Sequence, residues 1–193
     1  MNTRAPVSAT ALPAALNSPL WHRIADHTIG PGDVALSFTA RLARENRWTL
    51  AYAEQVIGEY KRFCYLAITL GHDVTPSDAV DQAWHLHLTY TRDYWQDFCP
   101  NVLRAELHHG PTTGSAADRN RFYHQYAATL AAYQAAFGVA PPPDIWPNAA
   151  QRFQRDPRGV RVNLSDVTFL PRRVALALGL TAFIVGWLAG RII

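Results

Sequence analysis

Residues 75–98, TPSDAVDQAWHLHLTYTRDYWQDF, contain the helix that decides the fold. Thr75 supplies a hydroxyl for an N-cap, Pro76 suits the first helical position, and Asp78 places a carboxylate three residues after the cap. Pro100 disfavours continuation beyond about Phe98. This stretch therefore predicts one long helix. Apolar side chains recur along one arc of it: Val80, Trp84, Leu88, Thr91, Trp95 and Phe98.

Three more segments have the apolar spacing of helices. Asp33 begins a predicted helix that reaches about Asn46, and Thr49 begins one that stops at Gly71. Asp118 caps a fourth, which ends at Gly138. Because no segment alternates with the period of a strand, the sequence predicts an all-α fold, a small helical bundle over residues 33–150. Residues 1–32 are predicted to be a flexible lead-in, to about Leu16, and an entry loop or short helical turn from Trp21 to Gly32.

Composition excludes several classes of protein. The chain has 193 residues, 49% of them apolar and 17% charged, which suits one domain and rules out a highly charged disordered chain. Its two cysteines, Cys64 and Cys99, are too few for a disulfide scaffold. Residues 1–151 hold eleven Lys and Arg against thirteen Asp and Glu, whereas residues 152–173 hold six against two. The positive charge is therefore concentrated near the C-terminus.

The C-terminal segment predicts a membrane anchor. Residues 174–190 are seventeen consecutive uncharged residues, and Arg172, Arg173 and Arg191 flank them. We therefore expect a single transmembrane helix over 174–193, a basic juxtamembrane linker over 151–173, and a tail-anchored chain in the cell (inner) membrane.

The flanking charges and small residues predict the partners of this anchor. Arg172 and Arg173 would lie at the lipid surface and keep the N-terminal domain cytoplasmic. Ala182, Gly186 and Gly190 form a row of small residues through which two anchor helices could pack as a homodimer. The basic linker has little aromatic interleaving, so nucleic acid is not an expected partner.

The histidines point to a candidate metal site. Asp81 and His85 lie four residues apart and so share a face of the predicted helix. The loop after Cys99 is long enough to bring His108 or His109 back to that face. Two imidazoles and a carboxylate suit a divalent transition metal such as zinc, with an open coordination position.

Purely structural roles for these histidines, without a metal, remain open. Asp81 and His85 can simply form a hydrogen bond along the helix, and His109 can bond a loop carbonyl. His87 falls in the apolar arc and is predicted to be a core histidine. His27 is predicted to be solvated, as are His22, His72 and His124.

Part of the chain resembles a known family. From Leu50 to Pro147 it is similar to the bacterial branch of the glycine-rich domain-containing protein-like family, through Val80–Leu88, Tyr90, Tyr94, Cys99, the run 108–112, Tyr126, Tyr133, Phe137-Gly138 and the run 142–147. The resemblance implies a helical fold and no established activity. It places the functional positions at Asp81, Trp84, His85, Tyr94, Cys99 and His109. The long glycine-rich tail of the plant members is missing, since this chain has only eleven glycines.

The sequence supports competing functions. The favoured one is a non-enzymatic module that binds a protein partner or a transition metal through a face formed by Trp84, Tyr94 and His85 with the His108-His109 loop. The alternative is a metal-dependent hydrolase in which Asp81, His85 and either His108 or His109 hold the ion and activate water. A weaker third hypothesis is a haem-type cofactor held by histidine.

Overall fold

The described part of the chain is built from helices around one core. The structure, a computed structural model, describes residues 13–110 and 114–154 and six further positions, residues 173, 174, 176, 180, 181 and 187. It divides into two compact units, Met1–Asp156 and Pro157–Ile193, and the helices below belong to the first. Within the described residues all regular structure is helical.

The helices of the first unit have the following order and bounds. A 3-10 turn at Ala14–Asn17 precedes helices α1 (Pro19–Asp26), α2 (Phe38–Asn46), α3 (Leu50–Thr69), α4 (Asp78–Thr89) and α5 (Thr91–Asp93), a π-helix (Tyr94–Leu103), and helices α6 (Ala116–Phe137) and α7 (Ala149–Gln154). Residues 14–17 and 19–26 are thus helical, and Ile24 of α1 is fully buried, so this part of the predicted lead-in and entry loop contributes to the core.

Helix α3 is the centre of the bundle and packs against α1, α2, α4 and α6. Its fully buried side chains follow one another at intervals of one to four residues: Ala53, Val56, Tyr60, Phe63, Cys64 and Leu66. The neighbours Phe63 and Cys64 widen the buried stripe. Because neighbours surround it on several sides, α3 presents a broad apolar surface, as a central helix must.

Serine and threonine hydroxyls set where the helices begin. Thr49 Oγ1 accepts a hydrogen bond from the Tyr52 N–H, as the sequence predicts. The other predicted caps, Asp33, Thr75 and Asp118, are wrong by two to four residues. Three serines cap these helices instead, each accepting from the backbone N–H three residues on: Ser37, Ser77 and Ser115. A hydroxyl in this position satisfies an orphan N–H of the first turn.

The long helix predicted over residues 75–98 is interrupted. Helix α4 ends at Thr89, and Tyr90 leaves the helical conformation with φ −85° and ψ 56°. The chain turns through α5 and continues as the π-helix past Pro100 to Leu103. The wider π-helical turn tolerates Pro100, and its last turn closes by a bond from the Arg104 N–H to the Cys99 carbonyl.

The predicted C-terminal transmembrane helix is contradicted, and the single-pass inner-membrane location with it. No helix among the described residues is long and apolar enough to cross a membrane. Seventeen uncharged residues reach only about 26 Å, short of the roughly 30 Å hydrocarbon core. Most of residues 174–190 lie outside the described residues, as do Arg172 and the row formed by Ala182, Gly186 and Gly190. Arg173 is exposed.

Candidate metal centre

Two elements bring the three candidate ligands together. Helix α4 carries Asp81 in its first turn and His85 one turn later, on the same face. The π-helix ends at Leu103, and the following segment runs back along α4 and delivers His109. The structure thus brings together Asp81, His85 and one of the two loop histidines.

The ligand atoms of this Asp81–His85–His109 cluster converge. His109 Nε2 lies 2.9 Å from Asp81 Oδ1, and His85 Nε2 lies 3.5 Å from Asp81 Oδ2. The two imidazole rings are nearly perpendicular, with centroids 4.4 Å apart. One nitrogen or oxygen from each of the three side chains lies within 4.8 Å of the other two. One ion placed among them can contact all three side chains after small rotations.

Burial differs across the cluster. Asp81 and His109 are partly buried, whereas the His85 side chain is 55% exposed. The hydrogen bond with Asp81 raises the pKa of His109, and burial opposes that rise. Metal binding requires the deprotonated ring nitrogen, so an ion and a proton compete for His109.

Trp84 and Tyr94 are buried and do not form the predicted interaction face. Trp84 is only 6% exposed and Tyr94 is fully buried. The indole N–H of Trp84 donates to the Tyr94 hydroxyl at 2.9 Å, and that hydroxyl donates to the Leu107 carbonyl. This chain of bonds fixes the segment two residues before His109, and the Trp84 ring packs edge-on against the His109 ring. Both aromatic residues therefore position the loop histidine.

His108 does not join the cluster. Its Nε2 lies 2.9 Å from Glu106 Oε2 at the surface, and its ring packs near Trp95. Adjacent residues of an extended segment point to opposite sides, so only one of the pair can face α4. Cys99, the remaining candidate from the resemblance, is buried in the π-helix.

A cavity of about 430 Å³ lies beside His109. Phe63, Trp84 and Phe122 contribute apolar walls, while Gln125 and Arg121 contribute polar groups. A ligand held there would approach the exposed side of the His109 ring.

A second cluster, formed by His27, His87 and Asp93, was not predicted from the sequence. His27 was predicted to be solvated, yet only 7% of its side chain is exposed and its Nε2 lies 3.1 Å from Asp93 Oδ1.

His87 is fully buried, as predicted for a core histidine, and burial lowers its pKa. Burial alone would raise the pKa of Asp93, but hydrogen bonds from His87, the Gly30 amide and His27 outweigh it and lower that pKa to about 2. A motif search could have found His87 and Asp93, six residues apart, but not His27.

Over the described residues, the fold is a helical bundle, and its candidate site combines two histidines and one carboxylate. Asp81 and His85 lie on α4, and His109 lies on the segment that follows the π-helix. Among known families, the UCP032817-like family matches residues 36–125, a stretch that contains Asp81, His85 and His109. No curated protein and no solved structure matches the chain. These comparisons do not bear on the resemblance to the glycine-rich domain-containing protein-like family, which stays a prediction.

Proposed function

We propose that this protein binds a divalent transition metal through Asp81, His85 and His109. The observation that carries the proposal is the convergence of one ligand atom from each of these side chains within 4.8 Å. Two of them come from one face of α4, and the third is held in place by the Trp84–Tyr94–Leu107 bonds.

The donor set favours particular ions. Imidazole nitrogen suits zinc, iron, nickel and copper, whereas magnesium and calcium prefer oxygen ligands. Two histidines with one carboxylate occur in catalytic zinc sites and in non-haem Fe(II) sites. Zinc and Fe(II) are therefore the two ions to test first.

Three protein ligands leave at least one coordination position open. His85 is largely exposed and His109 borders the cavity, so water or a small ligand can reach an ion here. Hydrolysis by a metal-bound water, the alternative from the sequence, would use that position. It stays a prediction, because nothing in the site identifies a substrate.

The test is the metal content of the full chain, purified without chelator and then loaded with Zn²⁺ or, under anaerobic conditions, with Fe²⁺. We expect His85→Ala to bind about one equivalent less than the wild-type chain. His124→Ala, which changes an exposed histidine of α6, is the matched control and should bind as much as wild type. Circular dichroism would verify that each variant is folded. Equal metal content in folded His85→Ala and wild-type protein would overturn the proposal.

A further inference from the structure

A second group of ligand atoms meets where α1, α4 and α5 come together. His27 directly follows α1, His87 lies in the last turn of α4, and Asp93 ends α5. The Nε2 atoms of His27 and His87 lie 3.1 Å and 2.7 Å from the same oxygen, Asp93 Oδ1. Both imidazoles therefore point at one buried spot.

Two residues of this cluster, His87 and Asp93, also form hydrogen bonds with groups outside it. Tyr60 Oη lies 2.9 Å from His87 Nδ1, and the Gly30 N–H donates to Asp93 Oδ2 at 2.8 Å. Metal-bound histidines usually present their second ring nitrogen to an oxygen, which fixes the ring and its tautomer, and Tyr60 is placed to do this for His87. Asp97 Oδ2 lies 3.9 Å from His27 Nδ1, beyond hydrogen-bond distance.

The charge of the cluster favours a cation. Asp93 is mostly buried, and its ion-pair partners among the described residues are histidines. Asp97 adds a second carboxylate nearby. Both carboxylates would attract a divalent ion bound at this position.

We propose that His27, His87 and Asp93 form a second, buried divalent metal site, for which zinc is the best match. Zinc–ligand bonds of about 2.0–2.1 Å in a tetrahedron place ligand atoms about 3.3 Å apart, so each histidine nitrogen must move a few tenths of an ångström away from Asp93 Oδ1. The ligand atoms of all three residues already lie within 4.8 Å of one another. With an ion on Nε2, neutral His87 would carry its proton on Nδ1, and this N–H would donate a hydrogen bond to the Tyr60 oxygen. The ring would therefore release no proton when the ion binds. The inference does not rest on the proposed function, because the two sites share no residue.

A buried ion would differ from one at the Asp81–His85–His109 cluster. It would tie α1 to α4 and α5, and so act on stability. It would also exchange slowly, because His87 is fully buried and His27 nearly so. His85, in contrast, leaves the first site open to chelator.

Zinc binding by the full-length chain and its variants tests the inference. After metal removal and reloading, we expect two equivalents in wild type and one each in His27→Ala and His85→Ala. The equivalent kept by His85→Ala should resist EDTA at least tenfold longer than the one kept by His27→Ala, and it should raise the melting temperature. Folded His27→Ala that binds as much zinc as wild type would overturn the second site.

The His85→Ala variant keeps the test decisive even where His27→Ala does not fold. That variant retains all three buried ligands, so one bound equivalent supports the second site and none overturns it. The two proposals also fail differently. Equal zinc content in His85→Ala and wild type would overturn the proposed Asp81–His85–His109 site alone. Loss of all zinc from His85→Ala would overturn the proposed His27–His87–Asp93 site alone.

Discussion

Glu59 illustrates how a single buried polar residue joins distant parts of the chain. Its carboxylate is almost fully buried on α3. It accepts a hydrogen bond from the Trp146 indole N–H at 2.9 Å and another from the Arg62 guanidinium at 2.8 Å. Trp146 follows the proline-rich segment 141–143 and is buried. Glu59 therefore fixes the C-terminal part of the bundle on the central helix.

We expect Glu59→Ala to lower the free energy of unfolding by about 1–3 kcal/mol, because it leaves the buried indole N–H without an acceptor and removes the carboxylate partner of Arg62. Urea denaturation monitored by tryptophan fluorescence would measure the change. Glu54→Ala, at an exposed position of the same helix, is the control and should change stability by less than about 0.5 kcal/mol. A loss in Glu59→Ala no larger than that of the control would contradict this role.

Sequence separation explains which residues could be predicted. Asp81 and His85 are neighbours on a helix, so their spacing alone predicts a shared face. His109 follows because the loop length permits its return. His27 lies 66 residues from Asp93, and Glu59 lies 87 residues from Trp146. Contacts over such separations leave no periodic pattern, so only the folded structure shows them.

At the scale of elements, the sequence predicted that helices exist better than where they begin and end. Apolar periodicity located the central helix and its N-cap, Thr49. It missed the break at Tyr90, because the apolar arc continues through it from Leu88 to Thr91 and Trp95. The break depends on tertiary contacts: the Tyr90 ring packs against Phe38 of α2, and its hydroxyl accepts a bond from Arg41.

Gly30 makes this break possible and gives a prediction about the connection between α1 and α2. Its φ is +69°, and a Cβ there would lie 2.7 Å from Tyr90 Cε1. We expect Gly30→Ala to lower the free energy of unfolding by about 1–3 kcal/mol, since it combines left-handed strain with a clash.

Gly32→Ala is the matched control for this prediction. A Cβ at Gly32 meets no atom within 4 Å, so the substitution should be tolerated. Urea denaturation of the two variants and wild type makes the comparison. Equal stability of Gly30→Ala and Gly32→Ala would show that the close approach to Tyr90 does not constrain the loop.

At the scale of the whole molecule, the core is rich in phenols and thiols that resist ionisation. Burial raises the pKa of Tyr60, Tyr94 and Tyr126, and it raises the pKa of Tyr133 to about 12. Burial also raises the pKa of the Cys64 thiol. These groups come from α3, the π-helix and α6, so their protonation reports on the bundle as a unit.

The raised pKa values predict that stability falls at alkaline pH. Between the unfolded pKa of a phenol, about 10, and its higher folded value, the unfolded chain releases a proton that the folded chain keeps. The stabilising contribution is therefore complete below about pH 9 and is lost as pH rises toward 12. Urea denaturation between pH 7 and pH 11 should show unfolding midpoints that decrease with pH.

Phenylalanine substitutions assign this loss to particular phenols. Tyr133→Phe should reduce the slope of stability against pH between pH 10 and 11 by about 1 kcal/mol per pH unit, because it removes one proton from the linkage. Tyr123→Phe, at an exposed position of the same helix, should leave the wild-type slope unchanged. The slope is the decisive measure, since Tyr133→Phe also removes the hydrogen bond from Arg62 and lowers stability at every pH. A wild-type slope in Tyr133→Phe would mean that this phenol ionises as readily in the folded bundle as in the unfolded chain.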